Sequence, residues 1–328
     1  MTLAEYEVRT LDFTTFRHMP GFGPRTTAPG RVLWTVSDYV QVLADGMEYR
    51  CKVTGKTKRG EAGFPVVGDL VEFEPVNLGE SVITAVLPRA SKFSRRAAGG
   101  RGTWREQVLA ANIDQVIIVF AVAEPEPHLR GLDRFLVVAE ENEMEALVIA
   151  NKVDLIGLDG ARALFGVYER VGYPIWYTSA REGQGLTGLL DAIAGKVSLV
   201  AGPSGVGKSS LLNAIVPGLD LRTGAISQAM NKGRHTTVVG TLLDLPGPEN
   251  GFIADTPGLR EIGPWDVAPE DLDYCYREFR PFLGGCRYAD CLHRTEAGCA
   301  IRPAVEAGEI DAARYDSYLR LLADLEGG

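Results

Sequence analysis

The stretch Gly202-Pro203-Ser204-Gly205-Val206-Gly207-Lys208-Ser209-Ser210 decides the fold of this chain. Its spacing matches a P-loop, and it lies between an apolar run at 197–201 and a predicted helix at 208–215. Glycines let the backbone wrap tightly so that its N–H groups face phosphate oxygens, while Lys208 reaches the terminal phosphates and Ser209 coordinates Mg²⁺. A chance glycine-rich turn would need neither the strand nor the helix, so the stretch predicts a nucleotide site with Lys208 as a catalytic residue.

Outward from this loop, residues 106–263 alternate between apolar strands and amphipathic helices. This alternation is typical of a mostly parallel sheet with helices on both faces. The strands are predicted at 115–122, 146–150, 174–177, 197–201, 237–243 and 251–254. We therefore expect an α/β P-loop domain over 106–263.

Two polar loops follow earlier predicted strands, Asn151-Lys152-Val153-Asp154 and Thr178-Ser179-Ala180. Ligands of α/β sheets bind at the carboxyl ends of strands, where both loops lie. The Asp154 carboxylate can accept from guanine N1–H and the exocyclic amine together, and adenine has no such donor pair. Asn151 would brace the neighbouring loops, the Lys152 stem would cover a base face, and the Ala180 N–H would donate to guanine O6. Alone, an Asn-Lys-x-Asp turn is also a common solvated loop; beside a P-loop it predicts guanine recognition.

The order of these motifs departs from that of ordinary GTPases, which have the P-loop first and the base-reading loops last. Because all the motifs lie on loops at one edge of a common sheet, joining the old ends and cutting elsewhere preserves the site. The chain therefore resembles a circularly permuted GTPase. The new cut falls just after Asp255-Thr256-Pro257-Gly258, where nucleotide hydrolases place an acid for Mg²⁺. We expect this γ-phosphate loop to feed into the C-terminal segment and to couple it to GTP or GDP.

The segment 231–237 is polar and contains glycine, as a switch loop would. One of its threonines, Thr236 or Thr237, is expected to close on Mg²⁺. We assign Thr237 to the ion, together with Ser209 and Asp255.

Leu259 stands where many GTPases have a glutamine that orients the attacking water. Leucine cannot form that hydrogen bond, so intrinsic hydrolysis is expected to be slow. His235 is the candidate for positioning the water. The alternative is that His235 is a surface or structural histidine.

Three cysteines and a histidine fall within fourteen residues, as Cys286-x4-Cys291-x-His293-x5-Cys299. Three thiolates and an imidazole suffice for a closed tetrahedral Zn²⁺ site, so the zinc is predicted to be structural. The alternative, buried free cysteines, requires that all four residues crowd one polar loop by accident. Residues 264–328 are therefore predicted to form a small zinc-binding C-terminal domain with helices. Its final helix is expected to present one apolar face, with Ile310, Ala313, Leu319 and Leu322 on or near it.

The N-terminal third differs from the rest of the chain in residue composition and in predicted secondary structure. Residues 1–30 mix Thr, Pro and Gly and predict an irregular arm. Residues 31–88 hold five short β-rich runs separated by glycine-containing turns, which favours an OB-fold-like barrel. Residues 89–105 carry six Arg and Lys residues, three glycines and no acid, and predict a basic, flexible linker.

Positive charge is concentrated in this region. The whole chain has a net charge of −9, but residues 31–106 hold twelve Lys and Arg against nine Asp and Glu. An OB-type barrel with this charge predicts a phosphate-binding face. Such charge runs are also common as plain solvated surface.

The longest apolar run is the eight residues 116–123, against about 18 needed to cross a bilayer. The first residues are acidic and lack an apolar stretch, so they do not match a secretory signal. We expect a cytoplasmic, monomeric protein with no membrane partner.

Together, the basic barrel, the base-reading loops ahead of the P-loop and the Cys/His spacing resemble the ribosome small-subunit-dependent GTPase A family, from about residue 31 to the C-terminus. The resemblance implies a GTPase that the small ribosomal subunit stimulates late in its maturation, with the barrel and zinc domain contacting ribosomal RNA. It also implies slow hydrolysis by the free protein and use of a switch-loop histidine. The implied partners are GTP, GDP, the small subunit and its RNA, and the implied cofactors are structural zinc and Mg²⁺.

Two other classes of protein share part of this pattern. An RNA-binding assembly factor with a non-hydrolysing nucleotide switch would keep the barrel and zinc loop, but need not keep Lys208, Ser209 and Asp255 together. A P-loop ATPase or kinase would share 202–209 but not 151–154. The joint presence of these motifs favours a GTP hydrolase.

Overall fold

The structure is a computed structural model. It describes residues 29–58, 62–77, 80–98, 104–216, 241–245, 251–255 and 267–327. The predicted arm at 1–30 lies outside the described residues except for its last two positions. Among the helices in these ranges, none is both long and apolar enough to cross a membrane.

Five strands near the N-terminus form a closed barrel. They are β1 (Gly30–Val36), β2 (Tyr39–Ala44), β3 (Met47–Val53), β4 (Leu70–Asn77) and β5 (Glu80–Val86), with a short helix α1 (Gly55–Lys58) after β3. The strand order is β1-β2-β3-β5-β4, and pairing of β1 with β4 closes the ring. Alternate residues point inward and form a small apolar core that includes Val32, Val40, Val42, Cys51, Val71 and Ile83. The OB-like barrel predicted from the β-rich runs is confirmed.

The segment predicted to be a flexible linker at 89–105 is mostly a β-hairpin, so that expectation is wrong for its secondary structure. Strand β6 (Lys92–Ala98) pairs antiparallel with β7 (Trp104–Ala111). Phe93 and Leu109 are buried beneath the hairpin. The glycines at 99, 100 and 102 fall between the two strands. Arg95, Arg96 and Arg105 of the predicted linker belong to the paired strands themselves.

The α/β domain is built on six further strands. They are β8 (Gln115–Ala121), β9 (Glu145–Asn151), β10 (Ile175–Thr178), β11 (Val197–Ala201), β12 (Thr241–Asp244) and β13 (Phe252–Asp255). Their order is β10-β9-β8-β11-β13-β12, and all neighbours are parallel except β12 with β13. The connecting helices are α2 (Leu129–Glu141), α3 (Gly157–Arg170), α4 (Leu186–Ile193) and α5 (Lys208–Ile215).

Successive residues of β8 show why both faces of this sheet carry helices. Ile118 and Phe120 belong to one apolar core, which includes residues of α2 and α3. Ile117 and Val119 belong to the opposite core, which includes residues of α4 and α5. A strand buried on both faces reads as a continuous apolar run, as the sequence does here.

The barrel is joined to the α/β sheet at two places. Trp34 of β1 pairs with Thr241 of β12, so barrel and α/β strands form one eleven-stranded sheet. The backbone of Gly68 also lies against Ala111, and a Cβ on Gly68 would fall 2.0 Å from the Ala111 carbonyl oxygen. Only glycine permits this approach, so the barrel is held closely against the start of the α/β domain.

The C-terminal segment consists of short 3₁₀ turns, a Cys/His loop and two helices, α6 (Ile301–Glu306) and α7 (Ala312–Gly327). Its apolar core includes Val137 of α2 as well as Tyr318, Leu321 and Leu322 of α7. The predicted helix face is partly wrong, because Ala313 is exposed and Ile310 precedes the helix. The buried face of α7 instead begins with Arg314, whose burial depends on ionic partners that periodicity cannot reveal.

Candidate nucleotide site and metal centre

The loop 202–207 connects β11 to α5, and two of its glycines have no possible substitute. Gly202 has φ +133°, and a Cβ there would fall 2.2 Å from the Val119 carbonyl oxygen. Gly207 has φ +96°, and its Cβ would fall 2.4 Å from Asn151 Nδ2. The second contact brings the base-reading loop directly against the P-loop. The two motifs therefore meet in space despite their reversed order in the chain.

Lys208 opens α5 and folds back over the loop. Its Nζ donates to the carbonyl oxygens of Gly202 at 2.7 Å and Pro203 at 2.5 Å. Ser209 and Ser210 follow in the first turn of the same helix and are half-buried. The lysine ammonium and the helix N-terminus thus place positive charge in the same cradle.

Asn151 ends β9 and is the central brace of the site. Its Nδ2 donates to the Val206 carbonyl oxygen at 2.9 Å. Its Oδ1 accepts from the Thr178 hydroxyl at 3.1 Å and the Ala180 N–H at 3.3 Å. Asn151 is only 1% exposed. The Ala180 N–H, which the sequence assigned to guanine O6, is thus directed at Asn151 in this structure.

Lys152 lies directly above the P-loop. It adopts a left-handed backbone with φ +67°. Its Nζ donates to the carbonyl oxygens of Gly205, at 2.9 Å, and Glu124. The stem of the side chain therefore extends along the edge of the cleft where a purine would lie. Glu124 was not singled out from the sequence, because it contributes only a backbone atom.

Asp154 and Ser179 come from neighbouring loops and meet through their side chains. The Ser179 hydroxyl donates to Asp154 Oδ1 at 2.6 Å and accepts from the Glu182 N–H at 3.1 Å. Ser179 is fully buried, as is Thr178, whereas Val153 packs into the core beneath. The Asp154 carboxylate is therefore held in a set orientation by a buried hydroxyl.

The predicted γ-phosphate side of the site is described only in part. Asp255 ends β13, whose pairing with β11 sets Ala254 beside Leu199. Asp255 thus lies at the carboxyl edge of the sheet, next to the strand that leads into the P-loop. His235, Thr236, Thr237 and Leu259 all lie outside the described residues, as does the side chain of Asp255.

The four Cys/His residues converge on one point. One ligand atom from each of Cys286, Cys291, His293 and Cys299 lies within 4.8 Å of the others. His293 Nδ1 is 3.5 Å from the sulfur atoms of both Cys286 and Cys299. His293 Nε2 is 3.0 Å from Asp273 Oδ2 on the other side of the ring. A carboxylate in this position orients a histidine whose other nitrogen binds a metal.

The groups of this cluster shift one another's pKa in different directions, and burial raises the pKa of the Cys291 thiol to about 12. Burial acts to lower the pKa of His293, but hydrogen bonds to Asp273 and Cys299 raise it to about 9. Burial acts to raise the pKa of the Cys299 thiol, but the backbone N–H groups of Arg302 and Ile301 and the His293 ring lower it. Three sulfurs and one nitrogen in a mostly buried cluster are the donor set of a closed metal site. Asp273 could not be found from the ligand spacing, since it lies 20 residues before His293.

Comparisons with known proteins agree with this geometry. The RsgA GTPase family profile matches residues 86–265, and the RsgA N-terminal domain profile matches residues 29–83. The chain belongs to the RsgA GTPase family. It is therefore a GTP-hydrolysing enzyme, and the predicted family is confirmed.

Relatives match over most of the chain. The small ribosomal subunit biogenesis GTPase RsgA of Gemmatimonas aurantiaca is 53% identical over 245 residues, which cover 75% of this chain and 78% of that protein. The protein of the same name from Moorella thermoacetica is 42% identical over 296 residues, covering 90% and 97%.

Two solved structures share the fold. YjeQ from Thermotoga maritima superposes with a TM-score of 0.75 at 37% identity, covering 92% of this chain and 99% of that chain. YloQ, described as a circularly permuted GTPase, gives 0.70 at 28% identity, covering 92% and 95%. The predicted permutation is thereby confirmed for the family of folds to which this chain belongs.

Proposed function

We propose that this chain binds guanine nucleotides in the cleft between the P-loop and the loops at 151–154 and 178–180, and hydrolyses GTP during maturation of the small ribosomal subunit. The observation that carries the proposal is the hydrogen bond from Asn151 Nδ2 to the Val206 carbonyl, which ties the base-reading loop to the phosphate loop. The names of the relatives support the small subunit as partner. A protein that acts on the small ribosomal subunit would act in the cytoplasm.

The chemistry of hydrolysis is assigned to residues on one edge of the sheet. Lys208 and the N-terminus of α5 would stabilise negative charge on the β- and γ-phosphates. Ser209, Thr237 and Asp255 would hold Mg²⁺, which supplies further charge neutralisation when bound. Ser209 fits this role, because it follows Lys208 in the first turn of α5. His235 would orient the water, as Leu259 cannot.

The metal centre is assigned to structural zinc. Three sulfurs and one nitrogen complete a tetrahedron and leave no position for substrate. Cys286, Cys291, His293 and Cys299 would hold the ion, since one ligand atom of each lies within 4.8 Å of the others. The loop would then present a rigid surface beside α6 and α7.

The barrel is assigned to RNA binding through the outer face of β2 and β3. The Arg50 guanidinium lies 4.3 Å from the centroid of the Tyr39 ring, and Lys52 pairs across the strands with Tyr39. Arginine stacked on an aromatic ring next to a lysine suits an unpaired base and its phosphate. Strands 2 and 3 are also the face that OB folds use for oligonucleotides.

The direct test is GTP turnover with and without purified small subunits. We expect slow turnover by the free protein and a large increase with subunits. No turnover under either condition would favour a non-hydrolysing RNA-binding factor.

The variant Asp154→Asn tests base recognition separately, since an amide N–H at this position can donate to the O2 of xanthine. The variant should bind GDP more weakly and xanthosine diphosphate more tightly than the wild type. If it still prefers guanine, Asp154 does not recognise the base.

His235 has its own test. His235→Ala should lower turnover while GDP affinity stays unchanged, because the residue is assigned to the water and not to the nucleotide. Unchanged turnover would eliminate this role and leave the histidine as a surface or structural residue.

A further inference from the structure

Helix α7 holds the backbone of the metal-binding loop. The Tyr315 hydroxyl donates to the His293 carbonyl oxygen at 2.5 Å, and the Tyr318 hydroxyl donates to the Leu292 carbonyl oxygen at 3.0 Å. Tyr318 is fully buried. A change in the metal loop therefore acts directly on α7.

The neighbouring residue, Arg314, connects α7 to the GTPase domain. Its Nη1 donates to Asp133 Oδ1 of α2 at 2.5 Å, and its Nε and Nη2 donate to Glu278 at 2.7 and 3.0 Å. All three side chains are at most 5% exposed. A buried charge that loses its partner is strongly destabilised, so α7 and α2 must keep their relative position.

Asp133 in turn fixes the beginning of α2. The Tyr168 hydroxyl donates to Asp133 Oδ1 at 2.9 Å and lies 3.2 Å from the carbonyl oxygen of Leu129, the first residue of the helix. Tyr168 is also buried. The tyrosine therefore joins the ion pair to the first turn of α2.

The turn just before α2 reaches the nucleotide site. The Glu124 carbonyl accepts from Lys152 Nζ, the lysine assigned to the base face. Pro125 Cδ lies 3.7 Å from the position that a Cβ on Gly205 of the P-loop would take. The placement of this turn thus sets the position of the Lys152 ammonium.

We propose that α2 couples the two sites, so that metal binding at the Cys/His cluster strengthens guanine nucleotide binding, and nucleotide binding strengthens metal binding by the same factor. The proposal rests on the proposed function, because it needs both ligands. The contact chain consists of described residues alone, so it does not require the predicted switch segments at 217–240 and 256–266. Thermodynamic linkage makes the two effects equal, and couplings of this kind are typically about fivefold or larger.

The test uses the full chain. The dissociation constant of a fluorescent GDP is measured for zinc-loaded and chelator-stripped protein, and the zinc dissociation constant is measured by chelator competition with and without saturating GDP. We expect GDP binding to weaken at least fivefold on zinc removal, and zinc binding to weaken by the same factor without GDP.

Two variants separate the contact chain from general stability. Tyr168→Phe removes only the hydroxyl that contacts Asp133 and the Leu129 carbonyl, and should reduce both coupling factors. Arg134→Ala breaks the exposed ion pair between Arg134 of α2 and Asp324 of α7, and should leave both factors as in the wild type.

Several results would overturn the coupling. These are GDP affinities of stripped and loaded protein that agree within twofold, or coupling factors in Tyr168→Phe as large as those of the wild type. If the stripped chain unfolds, the test compares the GDP affinities of the zinc-loaded variants with that of the zinc-loaded wild type. Tyr168→Phe must then bind GDP at least threefold more weakly, and Arg134→Ala must bind it as tightly as the wild type. Loaded protein that binds no GDP would instead refute the proposed nucleotide site.

Discussion

Replacing Asn151 by aspartate tests whether the P-loop and the base-reading loops form one site. Aspartate keeps the size of the side chain and its acceptor oxygens but removes the Nδ2 donor to Val206, a bond of 2.9 Å. The Val206 carbonyl would then face a carboxylate oxygen inside a buried contact. Leaving a buried group without its hydrogen bond costs about 1–3 kcal/mol. Since about 1.4 kcal/mol is tenfold in affinity, GDP binding should weaken about 5- to 150-fold.

The assay is titration of a fluorescent GDP at 25 °C, with thermal unfolding measured on the same samples. Thr178→Val is the matched control, because it removes a hydroxyl that bonds Asn151 Oδ1 at 3.1 Å and leaves the contact with the P-loop intact. A single neutral hydrogen bond is worth about 0.5–1.5 kcal/mol, so this variant should lose about 2- to 10-fold.

The reasoning fails if Asn151→Asp binds GDP within twofold of the wild type. It also fails if Thr178→Val is the weaker binder of the two, because the bond to the P-loop would then not be the one that matters. A loss of melting temperature without a loss of affinity would mean that Asn151 supports the fold alone.

Three further perturbations follow from the structure. Gly202→Ala should abolish GDP binding, because its Cβ would lie 2.2 Å from the Val119 carbonyl oxygen at φ +133°; GDP titration with near wild-type affinity would contradict this. Arg314→Met should cost about 3–5 kcal/mol in urea unfolding by leaving two buried carboxylates unpaired, and replacing those carboxylates by leucines should recover most of the loss. Cys275 should resist iodoacetamide at pH 8, because burial and then Glu141 raise the pKa of its thiol from 9.0 to about 12, and rapid alkylation in the native state would refute this. The unfolded chain ionises this thiol first, so its contribution to stability should fall between pH 9 and 12.

The parts of the fold that the sequence predicts well are those with strong local signals. The run at 116–122 is apolar at every position, which is what burial between two helical layers requires. The spacing of the P-loop glycines and of the Cys/His residues is set by the ligands that such motifs bind. Both sites could therefore be predicted from the sequence alone. The existence of a circular permutation followed from motif order alone.

The hairpin at 92–111 was missed for a physical reason. Phe93 and Leu109 are buried, but arginines between them in the sequence interrupt the alternation that predicts a half-buried strand. The glycines at 99, 100 and 102 predict flexibility from composition alone, although a turn between two strands has the same composition.

Contacts between distant segments that carry no motif cannot be predicted from the sequence. Arg314 and Asp133 are separated by 181 positions and neither lies in a motif. An arginine in an amphipathic helix is normally assigned to the solvent face, and only the position of its carboxylate partners reverses that assignment. Asp273 is similar, because its role depends on the orientation of the His293 ring.

The position of the permutation gives the C-terminal domain two connections to the GTPase domain. One is covalent, since the chain runs from Asp255 at the carboxyl edge of the sheet to Val267 at the start of the domain core. The other is packing, since Val137 of α2 lies in that same core and Asp133 pairs with Arg314. In an unpermuted order the segment after β13 would lead on to further strands of the sheet, and no chain end would be available there to carry a domain. Cutting at this point therefore allows the Cys/His domain to be attached both by the chain that follows β13 and by packing against α2. Because the Asp133–Arg314 ion pair is buried, moving the domain away from α2 would leave a buried charge without its partner, which a domain tethered only by the chain would not face.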